Sequence, residues 1–143
     1  MDPSITDGLL FNLVRECSMS QLSQAVILVA DTDPESLCSI SSLLIAHDHR
    51  VVTANSFQSA LAISKSEPLD LLITGTRLGY LDGGDLVCEV RQLENNSDVP
   101  VMYISEAQIS GVIRRVHDFG AAYHLKKPIV GQVLIELVEK ALW

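Results

Sequence analysis

The sequence predicts an α/β domain built on a parallel sheet. Short apolar runs alternate five times with segments whose apolar residues recur at helical spacing. Continuous apolar runs rich in β-branched residues are typical of strands that are covered on both faces, as parallel sheets require. The alternation indicates right-handed crossovers with helices on both faces of the sheet. A chain of 143 residues has room for one such domain.

The first two strand–helix units have clear boundary signals. Residues 25–30 form an apolar run that predicts the first strand, and residues 50–54 predict the second. Asp33 is a suitable N-cap for the intervening helix, and Pro34 suits the first helical position. Ser56 begins the next helix. These signals define two compact units with short connections.

The remaining strand–helix units show the same alternation of apolar runs and helical stripes. Pro68 stops the second helix, and the Gly83-Gly84 pair indicates a turn before the third helical stripe. Gly120 is a suitable C-cap for the fourth helix. The remaining predicted elements are three strands at residues 69–74, 99–104 and 122–125, and a last helix at residues 128–142.

Residues 1–24 precede the strand–helix pattern, so we predict an N-terminal extension followed by a domain at 25–143. The extension carries an apolar stripe at helical spacing: Leu9, Leu10, Leu13, Val14 and Cys17. An isolated helix this short is marginal in water, so it should dock on something. Docking on the last helix, within one chain or across a dimer, is one interpretation. Folding on a partner is the other.

Charge and composition exclude several classes of function. The net charge is −8, with 18 acidic against 10 basic residues. Nucleic acid and anionic membrane surfaces both require basic patches, so neither is an expected partner. No apolar run approaches the length of a bilayer span, and residues 1–10 lack the basic start of a signal peptide. We therefore expect a cytoplasmic protein.

The cysteines and histidines carry no strong metal or redox signal. Cys17, Cys38 and Cys88 are widely spaced among apolar neighbours, which predicts buried thiols. His47 and His49 invite a metal interpretation, but no partner set lies nearby in the sequence. A solvated loop explains the two histidines better.

Four anchors at the predicted strand ends carry a family resemblance. They are residues 27–34, residues 70–83, residues 99–105 and the Lys127-Pro128 pair. In this order and spacing, residues 25–142 resemble the receiver domain of two-component response regulators. The resemblance implies a flavodoxin-like (βα)5 fold with strand order 2-1-3-4-5. It also implies a cis Lys127-Pro128 peptide bond and a site at the carboxyl ends of the strands.

The resemblance also shows where the usual phosphorylation pocket is altered. Receivers place two acidic residues after the first strand to bind Mg²⁺, and an aspartate at the end of the third strand to accept the phosphoryl group. Here Asp31 fills the first acidic position and Thr32 the second, while Gly75 stands at the acceptor position. Ser105 and Lys127 match the residues that contact the phosphoryl oxygens.

Glycine has no side chain that could form an acyl phosphate, and strand alternation points the neighbouring Thr74 and Thr76 away. A single carboxylate is also a poor site for Mg²⁺. We therefore predict a non-enzymatic pseudo-receiver without a metal or cofactor, in which Lys127 pairs with Asp31. An anion or ligand sensor using this pocket is the alternative. A phosphate-receiving regulator with an unusual acceptor is the least favoured hypothesis.

Two further features bear on signalling and partners. Receivers usually carry an aromatic switch residue three positions before the lysine, and here that position is His124, with Tyr123 one residue earlier. The last helix carries a second apolar stripe beside one on the preceding helix, which predicts an interaction face or scattered surface residues. The predicted face consists of Ile109, Val112, Val130, Val133 and Leu137.

These features together predict a stand-alone protein-interaction module of phosphorelay signalling. Its expected partner is a kinase, a phosphotransfer protein or a regulator, and the apolar face favours a homodimer. The sequence alone does not distinguish among these partners.

Overall fold

The predicted sheet is present in the computed structural model, which describes residues 24–106 and 123–142. Five parallel strands form it, and seven strands in all follow one another along the described chain. In chain order, the five lie side by side as second, first, third, sixth and seventh. This is the predicted order 2-1-3-4-5 when the fourth and fifth strands, which form a short hairpin, are set aside. The flavodoxin-like fold class is therefore confirmed.

The strands are short and the helices cross between them. The strands are β1 (Val26–Ala30), β2 (Arg50–Ala54), β3 (Leu71–Gly75), β4 (Arg77–Leu78), β5 (Leu81–Asp82), β6 (Val101–Ser105) and β7 (Tyr123–Lys126). The helices are α1 (Pro34–Ala46), α2 (Phe57–Ser66), α3 (Gly83–Arg91) and α4 (Gly131–Leu142), with a 3-10 turn at Glu94–Asn96.

Two predicted caps are confirmed. The Asp33 carboxylate accepts the backbone N–H of Glu35 at 3.1 Å and begins α1. The Ser56 hydroxyl accepts the N–H of Ser59 at 3.1 Å and begins α2. Each cap satisfies a backbone donor that would otherwise have no partner in the first turn.

Two predicted boundaries were wrong. The glycine pair does not form a turn, because α3 begins at Gly83 and Asp82 caps it by accepting the N–H of Gly84 at 2.7 Å. The last helix begins at Gly131 and not at residue 128. In the first case the Asp82 side-chain cap prevailed over the glycine signal. In the second case, residues 128–130 lie outside regular secondary structure before the helix starts.

Each strand contributes side chains to two core layers. Leu28, Leu72 and Tyr103 face the layer covered by α2 and α3. Ile27 and Ile73 face the layer covered by α1 and α4. Both faces of the sheet are therefore buried, which explains why the strands read as continuous apolar runs.

A small antiparallel hairpin follows β3, and the sequence analysis did not predict it. Arg77 pairs with Asp82, and Leu78 with Leu81. Gly79 has φ +71°, a left-handed conformation that glycine adopts at little cost. Leu78 is buried in the α2/α3 layer, while Tyr80 at the tip is fully exposed.

The predicted burial of the thiols was wrong for two of the three cysteines. Cys38 on α1 and Cys88 on α3 are both exposed. Each lies on the outer side of its helix, because other residues of the same helix supply the buried stripe. Cys17 lies outside the described residues.

Several sequence predictions fall outside the structure. The described ranges do not include the N-terminal stripe, Ile109 and Val112 of the predicted interaction face, or the predicted C-cap Gly120. Within the described ranges, no helix combines the length and apolarity needed to cross a membrane. The same ranges hold no group of three or more histidine, cysteine, aspartate or glutamate residues placed to bind a metal ion.

Candidate functional site at the carboxyl end of the sheet

The carboxyl ends of the central strands surround an open cavity of about 330 Å³. Parallel strands all end at this edge, so the residues that follow them meet there. The structure brings the five predicted pocket residues to this cavity, together with others. It is lined by Asp31, Thr32, Asp33, Gly75, Thr76, Arg77, Ile104, Ser105, Glu106 and Lys127.

Asp31 is the buried carboxylate of the site. It follows β1 directly, and its backbone N–H donates to the Ala54 carbonyl at 3.0 Å, which extends the pairing of β1 with β2. The residue is only 5% exposed. One carboxylate oxygen, Oδ1, accepts the N–H of Asp33 at 3.0 Å. The other oxygen, Oδ2, points toward Lys127.

Lys127 neutralises this carboxylate, as predicted. Its Nζ lies 2.9 Å from Asp31 Oδ2 and 3.8 Å from Asp33 Oδ2. Within the described residues, Asp31 Oδ2 has no hydrogen-bond partner, so the attraction to Lys127 is chiefly electrostatic. The backbone N–H of Lys127 donates to the Ser105 carbonyl at 2.7 Å, which fixes where the side chain starts. The bond to Pro128 is cis, as the family resemblance implied.

Asp33 adds a position beside Lys127 to its predicted role as a helix cap. It caps α1, and its Oδ2 accepts the Ser36 hydroxyl at 2.9 Å. The Ser36 hydrogen bond, the Glu35 backbone N–H and the nearby Lys127 charge together lower the pKa of Asp33 below its usual value. Asp33 is thus a second carboxylate beside Lys127, and the hydrogen bonds of the helix cap hold it in place.

Gly75 occupies the place from which an acceptor side chain would enter the cavity. A Cβ built at this position would lie 3.7 Å from Asp31 Cγ and 3.3 Å from the Arg77 carbonyl oxygen. The Gly75 carbonyl in turn packs against Gly83, where a Cβ would overlap the Gly75 oxygen. The direction from position 75 therefore leads to Asp31, and no side chain uses it.

The residues present do not fit a magnesium ion. The free oxygen of Asp31 already faces an ammonium group at 2.9 Å. Asp33 is engaged as a helix cap, and Thr32, the residue between them, is exposed and carries no charge. Mg²⁺ requires oxygen ligands in nearly octahedral geometry and is usually held by carboxylates and phosphate oxygens. A lysine at this distance repels a divalent cation.

The predicted switch position holds a histidine that faces the interior. His124 pairs with Tyr103 in the β6–β7 register, so both side chains face the same layer. His124 Nε2 is buried and has no hydrogen-bond partner within residues 24–106 and 123–142. Burial lowers the pKa of His124, which favours the neutral imidazole. Tyr123 packs on the opposite layer and cannot substitute for the residue at position 124.

The predicted face of the last helix is partly exposed. Val130 is 59% exposed and Val133 41%, whereas Leu137 is half-buried against the α1/α4 layer. Gly131 of the same helix packs against Leu43 of α1. Val133 lies roughly 200° around the helix from Gly131, so the exposed flank points away from α1.

Three further residues that directly follow strands line the cavity, where the sequence predicted a site. Arg77 and Glu106 line it, and so does Thr76, which was expected to point away. Strand alternation ends at Gly75, where the chain turns into the β4–β5 hairpin, so the alternation rule does not extend to Thr76. Each of these residues follows a strand end within two positions, as the prediction of a site at the carboxyl ends of the strands requires.

Comparison with known sequences identifies the family. A profile of the response regulator receiver domain matches residues 27–139. The chain therefore belongs to the response regulator receiver domain family, whose members act in two-component signalling and interact with signalling partners such as kinases.

Curated relatives show the same domain in different settings. A probable cyclic di-GMP phosphodiesterase of Vibrio cholerae is 25% identical over 118 residues, covering 82% of this chain and 26% of that protein. The transcriptional regulatory protein GlrR of Escherichia coli is 26% identical with the same coverage. The two-component response regulator ORR5 of Oryza sativa is 26% identical over 117 residues, covering 81% of this chain and 87% of that protein. This chain thus spans about a quarter of the first two relatives and most of the third.

Solved structures support the fold. The chemotaxis protein CheY4 of Vibrio cholerae superimposes with a TM-score of 0.80 at 21% identity, covering 84% of this chain and 100% of that chain. NtrX from Brucella abortus superimposes with a TM-score of 0.76 at 28% identity, covering 82% of this chain and 27% of that chain. At 21% identity, the likeness to CheY4 concerns the fold alone.

Proposed function

We propose that this receiver domain accepts no phosphoryl group and works as a protein-interaction module in two-component signalling. The observation that carries the proposal is the glycine at position 75, whose Cβ direction leads to Asp31. A receiver stores its signal as an acyl phosphate on a carboxylate at this place. Without that carboxylate, the domain has to signal by what it binds.

The charges around the empty position support this interpretation. Lys127, which would contact a phosphoryl group, is held against Asp31 at 2.9 Å. A buried ammonium and carboxylate neutralise each other, and separating them would leave two uncompensated charges. The charges of Asp31 and Lys127 therefore cancel without phosphate or metal. This suits a domain with one stable signalling state.

Phosphorylation tests the proposal directly. The protein is incubated with acetyl phosphate and Mg²⁺, and its intact mass is measured. We expect no species heavier by one phosphoryl group. A phosphorylated aspartate in the cavity of the wild-type protein would refute the proposal. A denatured sample serves as the control for non-specific modification.

Restoring the missing carboxylates sharpens the same test. Gly75→Asp combined with Thr32→Asp should gain Mg²⁺ binding, measured by isothermal titration calorimetry, because two carboxylates then join Asp31. Gly75→Asn combined with Thr32→Asn is the matched control, since it adds the same volume without charge. To make room for the new Cβ at position 75, the Arg77 carbonyl oxygen has to move away by a few tenths of an ångström. Equal Mg²⁺ affinity of both variants and the wild type would show that more than carboxylates is missing.

The exposed flank of α4 is the proposed partner face, and a second copy of the chain is its proposed occupant. Val133 is exposed on the side of the helix that points away from α1, and Val130, which directly precedes the helix, is also exposed. A symmetric contact through one flank would be isologous, which is the usual arrangement of homodimers. We expect the wild type to sediment as a dimer and the Val130→Glu, Val133→Glu variant as a monomer. Gln132→Glu, an exposed charge on the same helix, should remain dimeric. A monomeric wild type would exclude the homodimer.

The anion-sensor alternative has weaker support. Lys127 is the cation that an anion would use, and it is already opposed by Asp31 and Asp33. Glu106 adds a third carboxylate to the lining, against which Arg77 adds one further positive charge. The surplus of acidic groups disfavours a free anion at this place.

A further inference from the structure

The outer face of α1 carries no charge after its first turn. Glu35 is the only charged residue within the helix. Beyond it, the exposed positions are Cys38, Ser39, Ser42, Ile45 and Ala46. Ile45 is 57% exposed although it is a large apolar residue. Charged residues are depleted from the centres of protein interfaces, so this composition is typical of a covered helix face.

The other described helices differ from α1 in this respect. The exposed side of α2 includes Lys65, and that of α3 includes Asp85 and Glu89. The exposed side of α4 includes Glu136 and Lys140. Beyond the first turn, each of these helices carries a charged residue on its exposed side, whereas α1 carries none.

Residues 1–23 reach the domain beside the end of α1. The N–H of Arg50 donates to the Ala25 carbonyl at 2.8 Å, and α1 ends at Ala46, only four residues before Arg50. Ala25 also belongs to the same apolar cluster as Ile40 and Leu44 of α1. The preceding segment therefore starts next to the carboxyl end of α1, where Ile45 is exposed.

We propose that residues 9–17 of this chain form a helix that covers the outer face of α1. Nine helical residues span about 14 Å, and Cys38 to Ile45 spans about 10 Å, so the lengths match. The intervening residues 18–24 reach at most about 25 Å when extended, which is ample. The apolar stripe at Leu9, Leu10, Leu13, Val14 and Cys17 provides the contact.

This placement differs from the predicted docking of the N-terminal stripe on the last helix. It assigns the stripe to the first helix and leaves the Val130 and Val133 flank of α4 free for a partner. The inference does not depend on whether the domain accepts a phosphoryl group. Its test is also separate, because it concerns access to a thiol and not the pocket.

Native cysteines provide the test. Cys38 lies in the face that the segment would cover, whereas Cys88 is exposed on α3, on the other side of the sheet. The full chain is treated with a maleimide, and the rate at each cysteine is followed by peptide mass spectrometry. Cys38 should react at least about tenfold more slowly than Cys88, since its reaction requires the segment to detach.

A matched pair of variants separates the segment from other causes of protection. Leu13→Asp places a charge on the apolar stripe, and Asn12→Asp places the same charge beside it. Leu13→Asp should bring the Cys38 rate to within about twofold of the Cys88 rate, because both thiols are then exposed. Asn12→Asp should leave Cys38 protected. Far-UV circular dichroism checks that both variants keep the domain folded.

Three outcomes would overturn the proposal. Cys38 could react as fast as Cys88 in the full wild-type chain, or it could remain protected in Leu13→Asp. Protection that disappears on dilution would assign the cover to a second copy of the chain. Protection that is independent of protein concentration and lost only in Leu13→Asp supports the proposal.

Discussion

The two ends of the sheet handle buried polar groups in opposite ways. At the amino end, the buried Asn96 accepts the N–H of Leu69 at 2.7 Å and donates to the carbonyls of Ser64 at 2.8 Å and Glu67 at 3.2 Å. At the carboxyl end, Asp31 and Lys127 form an ion pair beside a cavity. The first end uses neutral groups with directional bonds, and the second uses charges with room around them.

The difference shows which part of the domain maintains the fold and which part is available for function. Neutral groups with satisfied hydrogen bonds cost little to bury and hold three segments in one geometry. A buried ion pair adds little net stability, because desolvation offsets most of the attraction. The amino end is therefore the structural end. The carboxyl end, where charged residues line a cavity, is the candidate functional end.

Replacing the buried amide should have the largest effect. Asn96→Ala leaves the Leu69 N–H and two carbonyls without partners, which should lower the free energy of unfolding by about 3 kcal/mol. Asn95→Ala, an exposed neighbour, should change it by less than about 0.5 kcal/mol. Urea unfolding followed by circular dichroism measures both. Equal stability of the two variants would mean that the amino end is not the structural end.

Breaking the ion pair should have a smaller effect. Lys127→Met removes the charge that faces Asp31, and we expect a loss of about 2 kcal/mol because the carboxylate is then buried without compensation. Adding Asp31→Asn to Lys127→Met should restore most of the loss. The same unfolding measurement detects the recovery. If the double variant were less stable than Lys127→Met, the pair would contribute more than charge balance.

The smallest effect is expected from the ionisation of Asp33, the residue that caps α1. Asp33 has a lowered pKa, so its contribution to stability is present above the unfolded value near 4 and is lost as the pH falls through the folded pKa. Ser36→Ala removes the largest cause of the shift and should raise the pKa of Asp33. Ser39→Ala, one turn along the exposed side, should leave it unchanged. Carboxyl-carbon NMR titration of Asp33 measures the three proteins.

Much of the fold could be predicted because its signals are local. The predicted bounds of β2 match the structure, and the caps at Asp33 and Ser56 are confirmed. Local signals failed where two of them competed. The Gly83-Gly84 pair indicates a turn by composition, yet the Asp82 cap makes it the start of α3. The exposed Cys38 and Cys88 show the same limit, because apolar neighbours in sequence do not determine which side of a helix a residue faces.

The sequence by itself determined that position 75 has no carboxylate. No packing arrangement supplies a carboxylate to a glycine, so this property is independent of the fold. Tertiary structure alone decided how the remaining charges are used. It places Lys127 against Asp31 and also within 3.8 Å of Asp33, because the carboxyl ends of β1 and β7 meet at one edge of the sheet. Distances between residues that are remote in the chain depend on strand order and register, and those are properties of the folded sheet.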